Sequence, residues 1–316
     1  MTLTQKIKRF ALDEAGFDLA GVSRAELPAF HAEALGRWVE QGRAGVMDYM
    51  KRDPARRADP RKVLASARSV IALAVNYHHP EDPKPASPTG KVAQYAYGAD
   101  YHDVLDKKLA KLAAFVREAG GPGTEARTYV DTGPVLEKAF AREAGLGFFG
   151  KNTNVITREF GSWVFLASVL TNLELEPDAP HAGSCGSCRL CLDACPTEAL
   201  TAPYELDATR CISYWTIEAK EAAPRELARK FGDWVFGCDI CQDVCPYNFR
   251  AKTTRHEELY PARRAGTWIG LDEAAEASEE RFREKFRGSP VKRAKLAGLR
   301  RNAGTAAANR GLDHVR

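Results

Sequence analysis

All eight cysteines of this 316-residue chain lie between Cys185 and Cys245, and their spacing restricts the fold more than any other feature. Four form the run Cys185-x2-Cys188-x2-Cys191-x3-Cys195, followed by Pro196. Cys238-x2-Cys241-x3-Cys245, followed by Pro246, repeats the last three members, and Cys211 stands alone between the two runs. Two-residue gaps let three consecutive thiolates wrap one face of an iron–sulfur cubane, while the cysteine before the proline reaches across to a second cluster. That rule assigns Cys185, Cys188, Cys191 and Cys245 to one 4Fe-4S cluster and Cys195, Cys211, Cys238 and Cys241 to another. Two four-cysteine zinc sites would use the same count, but zinc does not account for the doubled three-residue gap and proline. Disulfides fit less well still. The N-terminus, Met1-Thr-Leu-Thr-Gln-Lys-Ile-Lys-Arg-Phe10, has no apolar leader segment, and thiols in the cytoplasm stay reduced.

The chain is too long for a cluster-carrying module alone, so the electrons have a further destination within it. A hydrophobic fraction of 44% is that of an ordinary globular protein, with no run of the roughly 18 apolar residues that a membrane span needs. A cytoplasmic protein without a membrane partner is expected. Residues 281–316 hold eleven Lys or Arg against Glu284 and Asp313, which leaves the first 280 residues at about −5 within the total of +4. A basic end on a mildly acidic body suits a polyanionic partner, an inference softened by the acidic run Asp272 to Glu280.

Periodicity predicts helices over 4–15, 28–42, 100–119 and 135–144, with a shorter one ending near Ala67. The helix over 100–119 has the clearest stripe, Leu105, Leu109, Leu112 and Val116, and Gly120-Gly121-Pro122 ends it. Strands are expected at 17–22, 69–77, 92–97 and 128–131. The second is apolar almost throughout and so buried on both faces. Asn154–Thr157 and Trp163–Leu170 read as an antiparallel hairpin. The mixture argues for an α+β domain over 1–175, then the two-cluster ferredoxin-like module over 176–255 and a basic helical region over 256–316.

Gly145-Leu-Gly147-Phe-Phe-Gly150-Lys151 imitates two nucleotide-binding signatures and satisfies neither. It follows a helix and opens a strand, the reverse of the dinucleotide fingerprint, and Asn152 stands where a P-loop requires Ser or Thr. Its glycines serve either a close backbone approach or a plain turn. Asp131, at a strand-to-helix junction, reads from position alone as a helix cap.

Taken with the cysteine runs, four further stretches resemble the epoxyqueuosine reductase family. They are Tyr129-Val-Asp131-Thr-Gly-Pro134-Val-Leu-Glu137-Lys138, Gly147-Phe-Phe-Gly150-Lys151-Asn152, Cys211-Ile-Ser213-Tyr-Trp-Thr216-Ile-Glu218 and Gly288-Ser-Pro290-Val-Lys292-Arg293-Ala-Lys295. The resemblance covers nearly the whole chain. It implies a cobalamin-dependent enzyme, related to reductive dehalogenases, that removes the epoxide oxygen of epoxyqueuosine in the tRNA anticodon loop, the last step of queuosine synthesis. It also implies cobalamin in the N-terminal domain, two clusters feeding it electrons from an external low-potential donor, and a HEAT-like tRNA-binding region at the C-terminus. Co(I) would attack the epoxide and Asp131 would protonate its oxygen.

Protonation near neutral pH requires desolvation to raise the Asp131 pKa, for which the apolar neighbours Tyr129, Val130 and Val135 are candidates. By motif position Arg57, Tyr97, Asn152 and Ser213 are the cobalamin contacts, with no histidine ligand to cobalt. Lys292, Arg293, Lys295, Arg300 and Arg301 are candidate phosphate contacts, and a monomer is expected. The competing readings are a cobalamin reductase of a small halogenated or epoxide substrate, a non-catalytic electron-transfer ferredoxin, and a nucleic-acid-binding module with structural clusters.

Overall fold

In the computed structural model, which describes residues 1–261 and 265–312, the Ser69–Asn76 strand is buried at all eight positions. It lies inside a four-stranded antiparallel sheet, flanked by Leu19–Arg24 on one side and Val164–Thr171 on the other, with Ala126–Tyr129 at the far edge. Period-2 alternation divides its side chains between two cores. Ile71, Leu73 and Val75 pack with the helices Leu3–Asp13 and Tyr101–Gly120. On the opposite face Ala72 and Ala74 meet Ala141 and Ala144 at the Glu137–Glu143 helix. Small side chains bring that helix close: a Cβ at Gly21 would stand 2.1 Å from the Ala144 carbonyl oxygen.

The stripe expected on the long helix faces the sheet, with Leu105, Leu109, Leu112 and Val116 each fully buried. Asp100 caps its N-terminus by accepting from the His102 backbone N–H at 3.1 Å, and Gly121, at φ 79°, ends it. At the chain start, Thr2 and Gln5 close a reciprocal capping box.

Three sequence expectations give way, the first being the helix expected to end near Ala67, where only the 3₁₀ turn Pro60–Lys62 forms. Residues 92–97 are not extended; the strand is Thr89–Val92 and a 3₁₀ turn follows over Gln94–Ala96. The hairpin does not form either. Val155–Ile156 pairs back onto Phe148–Phe149, whereas Val164–Thr171 joins the main sheet. Alternation marks a strand but not its partner, and the Thr157–Gly161 bridge turns the chain between the sheets.

Thr89–Val92 sits between Trp234–Phe236 and Trp268–Gly270, so one three-stranded sheet takes a strand from each of the three segments expected as domains. Against it packs a core of Phe236, Ile269, Leu271, Phe282, Leu296 and Leu299, the last two from the Lys295–Asn309 helix. Asn302 is buried there and donates to the carbonyls of Thr216 and Val235, both at 2.8 Å. Among the described residues no helix is long and apolar enough to cross a membrane.

Leu109→Ala removes buried side-chain volume without touching the cavity described below. Urea denaturation of the variant should show a loss of about 2–5 kcal/mol.

Candidate active site

Between the main sheet, the cysteine-bearing loops and the segment before the last helix lies a cavity of about 1010 Å³, at the upper end of the usual size for ligand sites. Asp131 enters it from the loop after the Ala126–Tyr129 strand. That residue holds φ 52°, a left-handed conformation uncommon for non-glycine residues, though Asp is among those that tolerate it best. Three contacts fix the loop. Glu137 accepts from the Asp131 backbone N–H at 2.8 Å, while Arg57 donates to Gly133 O at 3.2 Å and Tyr49 O at 2.8 Å. Gly133 is required because a Cβ there would come within 2.3 Å of the Tyr129 ring.

Asp131 is not in the apolar setting expected. Val130 and Val135 turn into the cores, and the Asp131 side chain is 67% exposed to the cavity space. His102 faces it at 3.7 Å and holds its carboxyl below the usual range, against the opposing effect of burial, with Tyr101 and Arg293 adding to the lowering. The carboxylate, not the acid, is therefore favoured at neutral pH, contrary to the expectation from sequence. His102 in turn is pushed up to about 9, first by Asp100 at 2.8 Å and then by Asp131, so it carries a proton at neutral pH. Glu137, also on the cavity wall, is raised by burial.

The four cysteines Cys195, Cys211, Cys238 and Cys241 line the same cavity. Cys191 feels the charge of Cys185 and Cys245, and Cys245 that of Cys185 and Cys188. Cys211 is likewise coupled to Cys195, and Cys238 to Cys241 and Cys211. The chain thus brings Cys245 beside the first run and Cys195 beside the second, and the two sets adjoin, since Cys191 acts on Cys241. All eight are free thiols.

The surroundings suit metal–sulfur clusters, whose sulfurs take hydrogen bonds from the backbone. Lys151 N–H points at Cys185 Sγ at 3.4 Å and Ala199 N–H at Cys195 Sγ at 3.3 Å; backbone N–H groups of Leu192, Ile240 and Tyr247 face Cys191, Cys238 and Cys245. Burial raises the Cys191 thiol to about 11 and also raises Cys211, Cys241 and Cys245, so ionisation here depends on a bound metal. Among the described residues no three His, Cys, Asp or Glu converge on a single-ion position; cubane ligands, which each take a different iron, stand further apart. The glycine-rich stretch has its close approach at Gly147, where a Cβ would stand 2.4 Å from the Ile156 carbonyl oxygen, and the Lys151 side chain after it braces the first cysteine loop through Gly186 O at 2.7 Å and Cys188 O at 2.8 Å.

Of the other residues singled out from sequence, Arg57, Asn152, Ser213, Lys292 and Arg293 line the cavity. Tyr97 does not. It is 2% exposed within the C-terminal core, and Tyr95, across the 3₁₀ turn, faces the cavity in its place. Arg293 is paired with Glu218 at 2.8 and 2.9 Å. Lys295 and Arg300 are exposed outside the cavity. Arg301 is turned inward, donating to Ala219 O and Trp215 O at 2.8 Å each, which a basic run read as a solvated face does not reveal. Sequence reasoning missed His102, Tyr95, Tyr101 and Lys138 on the cavity wall; Asp100 capping a helix two residues before a histidine was the available signal.

Fold and cysteine pattern define a double-cluster iron–sulfur protein with a mixed α+β architecture. Residues 184–248 match the family model for a 4Fe-4S double cluster binding domain, and residues 57–132 match that for epoxyqueuosine reductase QueG, DUF1730. The epoxyqueuosine reductase of Leadbetterella byssophila is 45% identical over 95% of this chain and 96% of its own, and that of Gloeobacter violaceus 46% identical over 92% of each. A solved epoxyqueuosine reductase bound to an epoxyqueuosine-modified tRNA-Tyr stem loop superimposes with a TM-score of 0.90 at 34% identity, covering 97% of this chain and 81% of that one. A Bacillus subtilis enzyme, solved with its catalytic aspartate loop swung out of the active site, gives 0.89 at 32% identity, covering 99% and 83%. The chain belongs to the epoxyqueuosine reductase family.

Because the folded-state pKa of His102 lies above its ordinary value, the stability it contributes is complete below about pH 6.5 and is lost as pH rises through about 9. Denaturant titrations from pH 6 to 10 should show wild type converging on His102→Gln over that window.

Proposed function

We propose that this chain reduces epoxyqueuosine to queuosine in the tRNA anticodon loop, with Asp131 as the group that protonates the departing oxygen. The observation that carries the reading is that Asp131 and the four cysteines of the second set line one cavity, so a proton for the substrate oxygen and electrons for the cofactor can be delivered within it. Opening an epoxide requires an electron-rich nucleophile that side chains do not provide. Cobalamin, when bound, supplies that nucleophile.

The cavity suits such a guest. Arg57 Nε and Glu137 Oε1 are buried on its wall without a hydrogen-bond partner, and buried polar atoms of that kind call for a ligand. Arg57, Asn152 and Ser213 would hold the cofactor with Tyr95, and Tyr97 would act only as packing behind them. No histidine ligand to cobalt is proposed, since His102 is engaged with Asp100 and Asp131.

In this reading Cys185, Cys188, Cys191 and Cys245 hold the outer cluster, which takes electrons from an external low-potential donor. Cys195, Cys211, Cys238 and Cys241 hold the inner one. Segments 1–175, 176–255 and 256–316 serve as catalytic, cluster-binding and tRNA-binding regions of a cytoplasmic monomer, the last HEAT-like in packing the Leu271–Glu276 helix on Lys295–Asn309. Lys292 and Arg293 at the cavity mouth, with Lys295 and Arg300 beyond it, contact phosphates, positioning the RNA without reading its bases. Arg301 stays a structural residue. The Bacillus relative's swinging aspartate loop supports the role given to the Asp131 loop.

With iron and cobalamin reconstituted anaerobically, nucleoside mass spectrometry should show epoxyqueuosine in tRNA converted to queuosine, and Asp131→Asn should slow conversion about 10²- to 10⁴-fold. Conversion undiminished in the variant removes Asp131; no conversion with both cofactors bound removes the substrate. Replacing Lys292 or Arg300 by Ala should make the dependence of log affinity on log salt shallower by about 1 for each, whereas Arg301→Ala should leave that slope unchanged in a binding titration.

A further inference from the structure

We propose that His102 is the proton reservoir behind Asp131: its Nε2–H recharges the carboxyl each time Asp131 gives a proton to the departing oxygen, and Asp100 holds the ring in place for that transfer. The inference rests on Asp131 being the acid. It begins from a count of protons. When an epoxide becomes an alkene and its oxygen leaves as water, the oxygen gains two protons, and one carboxyl delivers one at a time. In this cavity the Asp131 carboxylate is the favoured form at neutral pH, so even the first proton must reach it from a neighbour.

His102 is placed for that task. Its Nδ1 lies 2.8 Å from Asp100 Oδ1, the same oxygen that caps the helix by accepting from the His102 backbone N–H at 3.1 Å. One carboxylate oxygen thereby fixes both the start of the helix and the direction of the ring. The other ring nitrogen, Nε2, is buried, has no hydrogen-bond partner, and faces Asp131 Oδ2 at 3.7 Å. That separation is too long for a hydrogen bond. A small movement of the Asp131 loop closes it, and catalytic hydrogen bonds are commonly long before substrate binds.

A helix N-terminus by itself disfavours an imidazolium, yet the two carboxylates outweigh it and keep the ring protonated to about pH 9. The other charged or titratable groups around the pair are Tyr49, Tyr95, Tyr101, Glu137, Lys138, Lys292 and Arg293, of which Lys138, Tyr49 and Tyr95 feel the Asp131 charge. Lys292 acts on Asp100, Arg293 and Tyr101 act on Asp131, and Glu137 feels both His102 and Asp131.

The transfer balances. The breaking C–O bond leaves its electron pair on oxygen; the His102 Nε2–H bond breaks as its proton passes to Asp131 Oδ2, and the carboxyl so formed hands a proton on to that oxygen. Imidazole then regains a proton from water, restoring the pair for the second protonation. His102 acts through Asp131 and is a positioning and relay residue, not one that touches the substrate.

The test is the pH dependence of turnover on epoxyqueuosine-containing tRNA from pH 6 to 10 for wild type, His102→Gln, Asp100→Asn and Asp131→Asn, all with iron and cobalamin loaded. Wild-type turnover should fall with a midpoint near 9. His102→Gln should lose at least tenfold in kcat with KM within about threefold, and should lack the fall near 9; Asp100→Asn should move that midpoint downward. If His102→Gln keeps the wild-type rate, or loses rate while retaining the same alkaline fall, the relay is wrong. Should Asp131→Asn turn over normally while His102→Gln does not, the assignment of Asp131 fails and the relay fails with it. Should Asp131→Asn be inactive and His102→Gln normal, only the relay fails. NMR titration of His102 in wild type needs no variant to fold, and a midpoint below 7 would also overturn the proposal.

Discussion

An aspartate held at φ 52° carries a backbone strain of about 1–3 kcal/mol, which persists only where the surroundings over-determine it. Here they do. The Glu137 side-chain oxygen accepts from the Asp131 N–H, the Arg57 guanidinium grips the Gly133 and Tyr49 carbonyls, and the absence of a side chain on Gly133 lets the turn lie on the Tyr129 ring. The result is a carboxylate set in a cavity that is also lined by four cysteines. If that turn relaxed to an ordinary conformation, the Asp131 carboxylate would no longer face the cavity that the four cysteines line.

The frame behind the turn explains why it stays put. The Ser69–Asn76 strand is buried on both faces, with large side chains toward the long helix and alanines toward the Glu137–Glu143 helix. The alanine face brings Glu137 and Lys138 to the cavity wall, and the long helix brings Asp100, Tyr101 and His102 to the same wall from the other side of the sheet. The second sheet, built from strands distant in sequence, ties the cysteine module and the C-terminal helices to this frame. Sites built on such rigid elements hold their geometry more closely than sites on free loops.

Much of this was legible from the chain alone, and the losses have physical causes. Cysteine spacing is a local constraint, so the nearness of Cys245 to the first run and of Cys195 to Cys211 could be written down. The helix stripe and the doubly buried strand follow from periodicity, which survives folding. Strand partners do not follow from periodicity, so Val155–Ile156 was paired with the wrong neighbour. The electrostatic setting of Asp131 was misjudged because sequence neighbours Val130 and Val135 turn away, while His102 arrives from a separate helix. Arg301 looked like part of a basic face until its guanidinium was seen to be committed to backbone carbonyls.

The most direct measurement is a crystal structure of the cofactor-loaded protein with an epoxyqueuosine stem loop. The account predicts the epoxide oxygen within hydrogen-bond distance, about 2.6–3.2 Å, of the Asp131 carboxyl, with the inner cysteine set on the far side of the bound cofactor. An epoxide oxygen directed instead at Glu137 or Lys138, out of reach of Asp131, would contradict it.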